Sequence, residues 1–179
     1  MDKYLMINKL PQIISSSYEP LDISTVQTVI DINVIGTISL VSLVTSHLAR
    51  TEPSTDPANE GERGVVIMVS SSSAYDGQPG QVAYAASKGA IRSLTLPLAR
   101  DLSRYGIRAV SVAPNIFETG MTAFMPEKLR NSLKRTLEWP ARPGRPEEFG
   151  QLVVDICRNP MINGDCIRLD GASRLASRL

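Results

Sequence analysis

The sequence has few of the residues that bind metals or cross-link small folds. Its two cysteines, Cys157 and Cys166, have neither metal-ligand spacing nor the density of a disulfide framework. We therefore predict that both are packed, reduced thiols of an intracellular protein. The single histidine, His47, has no Cys, Asp or Glu cluster around it, so neither a metal site nor a Ser-His-acid triad is supported.

An excess of charge of one sign and long apolar runs are also absent. The net charge of +1 predicts no bulk attraction to nucleic acid or to an anionic membrane. No apolar run approaches the roughly 20 residues that a membrane span requires, and the start of the chain lacks the apolar core of a secretory signal. With 42% apolar residues, the chain is predicted to be one soluble domain over residues 1–179.

What the sequence does contain is a strand, a serine-rich loop and a helix in succession. Val65 to Val69 is a short, β-branched apolar run, typical of a strand that is covered on both faces. Four serines, Ser70 to Ser73, follow it. The turn residues Gly77 to Gly80 then predict a break before a helix that runs from Ala83 to about Arg104.

The first turn of this helix carries a tyrosine and a lysine at helical spacing. Tyr84 and Lys88 are four positions apart, so their side chains share one face, roughly 6 Å apart at Cβ. A phenol has a pKa near 10, and a proton-exchange role at neutral pH requires its phenolate to be stabilised by about 3 to 4 kcal/mol. A fixed cation such as Lys88 provides this, and the hydroxyl of Ser71 or Ser72 can hold a substrate oxygen beside it.

The helix belongs to a β-α-β unit. Gly106 ends it, and the apolar run from Ile107 to Ala113 predicts the next strand. Such units are right-handed with parallel strands, and ligands bind beyond the carboxyl ends of parallel strands. That rim carries Ser71, the turn of Tyr84 and the segment Pro114–Thr119.

Ser71, followed thirteen positions later by Tyr84-x-x-x-Lys88 with Ser87 between them, resembles the active-site signature of the short-chain dehydrogenase/reductase family. The resemblance extends from about Leu21 to Arg174, where NGDCIRLDG is similar to the closing strand of the family. It is greatest to members that act on 3-hydroxyacyl-CoA or hydroxysteroids. It implies an α/β fold, namely the C-terminal part of a Rossmann-like, doubly wound parallel sheet with flanking helices.

The resemblance also implies a role for each site residue. Tyr84 exchanges a proton with the substrate, Lys88 lowers the pKa of the phenol and holds the nicotinamide ribose, and Ser71 orients the substrate oxygen. Asn33 holds a relay water, the alternative being a solvated or locally bonded polar residue of a helix. The implied cofactor-binding residues are Tyr84, Lys88, Pro114, Asn115, Ile116 and Thr119, with no metal ligand among them.

Asn115 departs from the family pattern, which has glycine at this position. Asn tolerates a positive φ better than most residues, so we expect the turn to survive. The alternative interpretation of Pro114–Thr119 is an ordinary turn from a strand into a loop.

The remaining segments complete the prediction of the fold. A long amphipathic helix is expected from Asp22 or Ser24 to about Arg50, a second helix from Pro146 to Arg158, and a last strand from Asp165 to Leu169. Residues 1–20 are expected to be irregular. By resemblance, residues 121–146 form a flap over the substrate, in which Phe124, Met125, Leu133 and Trp139 pack or line the substrate wall.

A glycine-rich dinucleotide turn is missing. No G-x-G-x-x-G occurs, and Gly61-x-x-Gly64 and Gly77-x-x-Gly80 both lie on the wrong side of the strand that they would have to follow. We therefore expect that the N-terminal cofactor-binding half of the family is absent, that one strand edge and one helix face are left uncovered, and that NADH binds weakly.

Two hypotheses follow. The first is an oxidoreductase that transfers hydride between NAD or NADP, with NAD favoured, and a secondary alcohol or ketone. Its expected partners are an acyl-CoA or steroid-like small molecule and a second copy bound through helices 22–50 and 83–104, with no nucleic acid or membrane. The alternative is a non-catalytic interaction subunit or an inactive fragment. The expected compartment is intracellular, either cytoplasmic or mitochondrial.

Overall fold

The computed structural model describes residues 12–120 and 137–174. Its strands are β1 (Gly64–Val69), β2 (Ile107–Pro114) and β3 (Cys166–Leu169), and its α-helices are α1 (Ile23–Ile30), α2 (Gly36–Leu48), α3 (Val82–Leu102) and α4 (Pro146–Arg158). A π-helical turn, Asp31–Ile35, joins α1 to α2. Short 3₁₀ turns occur at Pro57–Asn59, Ser72–Ala74 and Ser103–Tyr105.

The three strands form a parallel sheet in the order β1-β2-β3. The central strand β2 is almost wholly buried because helices cover both of its faces. On one face, Ser111 of β2 meets Thr95 of α3 at 2.9 Å between their hydroxyl oxygens. On the other face, Val110 and Val112 pack against Ile156 of α4. The structure therefore confirms the predicted α/β class with flanking helices.

The first strand is less covered than its apolar sequence predicts. Within β1 only Met68 is buried, and Val69 is 48% exposed. The physical reason is position, since β1 lies at the edge of the described sheet. An apolar run does not distinguish a central strand from an edge strand.

The long N-terminal helix is interrupted where the prediction had it continuous. Asp22 is the N-cap, as predicted, and its carboxylate accepts a bond from the Ser24 backbone N–H. The π-helical turn then adds one residue, so that the Gly36 N–H donates to the Asp31 carbonyl oxygen. Hydrophobic periodicity tolerates one such insertion and does not reveal it.

This helical segment also corrects the expectation about membrane spans. Taken together, Ile23–Leu48 is long and apolar enough to cross a membrane by length and composition, and most of its apolar window is exposed. The sequence prediction counted uninterrupted apolar runs, whereas the interspersed Ser and Thr residues break the runs without making the helix polar.

The other boundaries agree closely with the prediction. Helix α3 begins one residue earlier than expected and ends at Leu102. The 3₁₀ turn Ser103–Tyr105 follows it, and Gly106 ends that turn with a φ of +67°, in the left-handed conformation. Residues 12–20 are irregular apart from one bridge between Ile14 and Pro20. Residues 1–11 and most of the expected flap, including Phe124, Met125 and Leu133, lie outside the described residues.

Two side-chain predictions need correction. Both cysteines are free thiols, but Cys157 is exposed rather than packed because it lies on the outward side of α4. Trp139, expected to pack in the flap or to line the substrate wall, is 84% exposed.

Candidate active site

The serine loop leaves the carboxyl end of β1 and is bonded to both of its neighbours. The Ser70 backbone N–H donates to the Val112 carbonyl oxygen of β2. The Ser70 hydroxyl donates to the Lys88 carbonyl oxygen of α3, with 2.8 Å between the two oxygens. These two bonds bring the loop against the first turns of α3, where Tyr84 lies.

The structure distinguishes the two candidate serines. Ser71 caps the short 3₁₀ turn, accepting the Ser73 backbone N–H at 3.1 Å, and its hydroxyl lies near enough to the Tyr84 phenol to lower the pKa of that phenol. The Ser72 hydroxyl instead donates to the Asn115 Oδ1, with 3.2 Å between the oxygens. Ser71 is thus the serine that faces the tyrosine, and Ser72 connects the loop to the end of β2.

Lys88 lies beside Tyr84, as the four-residue spacing predicts. The Lys88 Nζ is 5.8 Å from the centroid of the Tyr84 ring and donates to the Val69 carbonyl oxygen at 2.9 Å. An ammonium has three donors, so two remain for other acceptors. A hydroxyl, a phenol and an amine therefore converge at the carboxyl rim of the sheet.

Burial is the main electrostatic influence on this cluster. Burial raises the pKa of the Tyr84 phenol above its ordinary value, and the Ser71 hydroxyl opposes that shift. Burial lowers the pKa of Lys88. Desolvation is therefore the larger of the two effects on the phenol pKa, and it favours the protonated phenol as a donor to a substrate oxygen. The role of Lys88 in lowering this pKa stays a prediction.

Asn33 contacts the helix that carries the tyrosine. It lies in the π-helical turn, and its Nδ2 donates to the Ser87 hydroxyl at 3.0 Å. The Ser87 hydroxyl in turn donates to the Tyr84 carbonyl oxygen at 2.8 Å. The contact is therefore a tertiary one rather than the solvated or local bond of the alternative interpretation. The relay-water role stays a prediction.

The segment after β2 is held in place by backbone bonds. The Asn115 N–H donates to the Leu169 carbonyl oxygen, and the Ile116 carbonyl oxygen accepts the Gly144 N–H. Pro114 ends β2, Ile116 is buried, and Thr119 is exposed on the same segment. The predicted cofactor-binding loop thus borders the serine loop through the contact between Ser72 and Asn115, and its binding role stays a prediction.

A cavity of about 260 Å³ lies next to this segment. Its walls include Asn115, Phe117, Leu137 and Leu169, with Arg142 and Glu148 also lining it. Ser71, Tyr84 and Lys88 do not line it, so the cavity is beside the cluster rather than part of it.

Sequence reasoning missed a group of charged and aromatic residues behind the serine loop. Arg168 of β3 pairs with Asp76 and Asp170, and the guanidinium groups of Arg168 and Arg92 both lie over the Tyr75 ring. No local pattern indicates this group, because Asp76 and Arg168 are 92 positions apart. Over residues 12–120 and 137–174, no cluster of three or more His, Cys, Asp or Glu side chains could hold a metal ion.

The chain is similar in sequence to known proteins. A family model described as short chain dehydrogenase matches residues 7–130. The chain is 46% identical over 149 residues to the 3-hydroxyacyl-CoA dehydrogenase type-2 of Mus musculus, an alignment that covers 83% of this chain and 56% of that protein. It is 30% identical over 145 residues to a 3-oxoacyl-acyl-carrier-protein reductase of Thermotoga maritima, covering 80% of this chain and 54% of that protein.

A solved structure is similar over nearly the whole chain. The 3-hydroxyacyl-CoA dehydrogenase type-2 of Mycobacterium avium superposes with a TM-score of 0.87 at 34% identity, covering 96% of this chain and 65% of that one. The chain thus spans a little over half the length of the curated relatives that it matches.

Proposed function

The chain belongs to the short-chain dehydrogenase family, and we propose that its Ser71, Tyr84 and Lys88 form the proton-transfer side of an NAD(P)-dependent oxidoreductase site. The reaction class is hydride transfer between the cofactor and a secondary alcohol or ketone. The observation that carries the proposal is the convergence of a hydroxyl, a phenol and a lysine at the carboxyl rim of the sheet.

The geometry supports a distinct role for each of the three. The Ser71 hydroxyl lies near enough to the Tyr84 phenol to influence its pKa, so both can contact one carbonyl oxygen of a substrate. As that oxygen gains negative charge, Tyr84 donates its proton and Ser71 stabilises the charge by a hydrogen bond. Lys88, held by the Val69 carbonyl, stabilises the resulting phenolate by its positive charge.

The residues fit the nicotinamide side of the proposed cofactor. Lys88 has donors to spare for ribose hydroxyls, and the segment that carries Pro114, Asn115, Ile116 and Thr119 is joined to the serine loop by the contact between Ser72 and Asn115. When bound, the cofactor supplies or accepts the hydride. The printed sequence contains no glycine-rich turn for the pyrophosphate, so this proposal assigns only the nicotinamide side to these residues. We rank NAD before NADP on the family resemblance alone.

The proposed substrates are 3-hydroxyacyl-CoA thioesters and their ketones, with hydroxysteroids next. The names of similar proteins support the first class, since the relatives include 3-hydroxyacyl-CoA dehydrogenases type-2 and an acetoacetyl-CoA reductase.

The experiment is an assay of acetoacetyl-CoA reduction, followed by the loss of NADH absorbance and repeated with NADPH and a ketosteroid. We expect Tyr84→Phe to lower kcat by about 100-fold or more, because it removes the proton donor. Tyr105→Phe is the matched control, since Tyr105 lies beyond the C-terminal end of α3, whereas Tyr84 lies in its first turn. Equal rates for the unmodified chain and Tyr84→Phe would contradict the proposal.

A second candidate function is a non-catalytic interaction subunit. The observation that favours it is the exposed apolar surface of α1, α2 and the turn between them. The two candidates are separated by the assay above combined with a fluorescence titration of NADH. An absence of turnover and of NADH binding at millimolar concentration leaves the second candidate, whereas micromolar binding and turnover exclude it.

A further inference from the structure

The serine loop is anchored from behind by a cluster that the proposed reaction does not use. The 3₁₀ turn capped by Ser71 ends at Tyr75, and the backbone N–H groups of Tyr75 and Asp76 both donate to the Ser72 carbonyl oxygen, at 3.0 and 2.9 Å. The positions of Tyr75 and Asp76 therefore determine the position of the turn. Whatever holds these two residues also determines where the Ser71 hydroxyl lies.

Arg168 contacts both of them from the last strand. Its Nη2 lies 2.5 Å from the Asp76 Oδ2, and its Cζ lies 4.5 Å from the centroid of the Tyr75 ring. Its Nε donates to the Asp170 Oδ2 at 2.6 Å, which fixes the guanidinium on its own strand. Most of the Arg168 side chain is buried, and so is most of Asp76 and Asp170, so these ion pairs are shielded from solvent.

Tyr75 holds the serine loop through a second set of contacts. Its hydroxyl donates to the Cys166 carbonyl oxygen of β3 at 3.3 Å, and the Arg92 guanidinium lies 4.4 Å from its ring centroid. Arg92 is on α3, one turn after Lys88 and two turns after Tyr84. The loop is thus bonded to β3 and to the same helix that presents the phenol.

From these contacts we propose that Arg168 is a positioning residue, which holds the serine loop through Asp76 and Tyr75 so that the Ser71 hydroxyl meets the Tyr84 phenol. The role requires the planar fork of arginine, since one guanidinium bridges Asp76 and Asp170 while its face covers an aromatic ring. A lysine at this position has one compact ammonium group, so it loses both the bridge between the two carboxylates and the stacking on the Tyr75 ring. The catalytic meaning of this role rests on the proposed function.

The chain offers a matched control. Arg174 also pairs with the Asp170 Oδ2, at 3.1 Å, but its side chain is 60% exposed and contacts neither Asp76 nor Tyr75 in the described structure. Arg174→Gln therefore removes one arginine from Asp170 without touching the loop. Arg168→Gln and Arg168→Lys are the test variants, and Asp76→Asn breaks the same link from the other side should Arg168→Gln fail to fold.

The first measurement is amide hydrogen exchange of residues 70–76, with residues 107–114 of the central strand as an internal reference. We expect exchange in the loop to rise by about ten-fold in Arg168→Gln and Asp76→Asn, while the central strand and Arg174→Gln stay within about two-fold of the unmodified chain. The rate of loop exchange in Arg168→Lys is expected to lie between that of the unmodified chain and that of Arg168→Gln. Unchanged exchange of the loop in both Arg168→Gln and Asp76→Asn overturns the proposal.

The second measurement follows the phenol itself. With tyrosine labelled at Cζ and the Tyr84 resonance assigned by its loss in Tyr84→Phe, an NMR titration reports its pKa. Since the Ser71 hydroxyl opposes the upward shift of the Tyr84 pKa, displacement of that hydroxyl from the phenol in Arg168→Gln is expected to raise the pKa further. A purely structural role of Arg168 would leave this pKa unmoved, and that result counts against the proposal.

The third measurement links the residue to turnover. In the acetoacetyl-CoA assay we expect Arg168→Gln to lower kcat by about 10- to 100-fold with KM changed by less than about two-fold, because misplaced catalytic groups slow the chemical step. If the unmodified chain shows no turnover, the proposed function fails, while hydrogen exchange and the phenol titration still decide the role of Arg168.

Discussion

At the scale of single residues, Arg108 shows how one side chain satisfies several backbone groups at once. It is buried at the start of β2 and forms a bidentate pair with Glu62, at 2.8 and 3.0 Å. Its remaining N–H groups donate to the carbonyl oxygens of Ile156, Cys157, Asn159 and Ile162. These carbonyls lie at and beyond the C-terminal end of α4, where the helix has no partners of its own.

We predict that Arg108→Met destabilises the protein by about 3 to 5 kcal/mol, because the partly buried Glu62 carboxylate and several carbonyls lose their donor. Urea unfolding followed by circular dichroism measures this. Arg104→Met is the control, since Arg104 lies exposed over Tyr105, and we expect a change within about 0.5 kcal/mol. If Arg108→Met lowers the free energy of unfolding by less than about 1 kcal/mol, the prediction is wrong, and water satisfies the groups that the guanidinium contacts.

At the scale of elements, the start of α4 carries a capping box that depends on charge. The Glu148 side chain accepts the Arg145 backbone N–H at 2.8 Å and forms two bonds with the Arg142 guanidinium, at 2.5 and 3.0 Å. The Arg142 hydrogen bond, followed by that of Arg145, lowers the pKa of Glu148 to about 2. The carboxylate thus joins the loop before α4 to the first turn of the helix.

This cap predicts a particular dependence of stability on pH. Because the pKa of Glu148 is lower in the folded chain than in the unfolded chain, its contribution is present above the unfolded value and is lost as the pH falls towards 2. We expect Glu148→Gln to reduce the slope of unfolding free energy against pH, by up to one proton, between about pH 4.5 and pH 2. Glu147→Gln, which removes a carboxylate of the same turn outside the Arg142 fork, controls for net charge. Equal slopes of unfolding free energy against pH in Glu148→Gln and Glu147→Gln would contradict this role of Glu148.

At the scale of the whole molecule, one surface of the described structure is unusually apolar. Seven large apolar side chains of the segment Ile23–Leu48 are exposed, namely Ile23, Ile32, Ile35, Ile38, Leu40, Leu43 and Val44. Only Asp31 and His47 interrupt this segment with a titratable side chain. A surface of this composition favours contact with another apolar surface over water.

We predict that this surface mediates self-association through α1 and α2, which correspond to the first of the two helices, 22–50, through which an oligomer is expected from the sequence. Light scattering after gel filtration is expected to show a dimer or larger species that Leu43→Glu shifts towards the monomer. Met161→Glu, which places the same charge at an exposed methionine beyond α4, is expected to leave the mass unchanged. A monomeric unmodified chain at about 100 μM would contradict this prediction, since a stable dimer forms well below that concentration.

The sequence by itself determined the α/β class, the order of the main elements, the Gly106 stop and the neighbouring positions of Tyr84 and Lys88. These features follow from hydrophobic periodicity, turn chemistry and helical spacing, all of which act within a few residues. Only the tertiary structure decided that Ser72 bonds Asn115, that Asn33 bonds Ser87, and that burial raises the Tyr84 pKa. The contacts of Asn33 and Arg168 join residues 54 and 92 positions apart, and no local pattern encodes which distant side chains share one buried space.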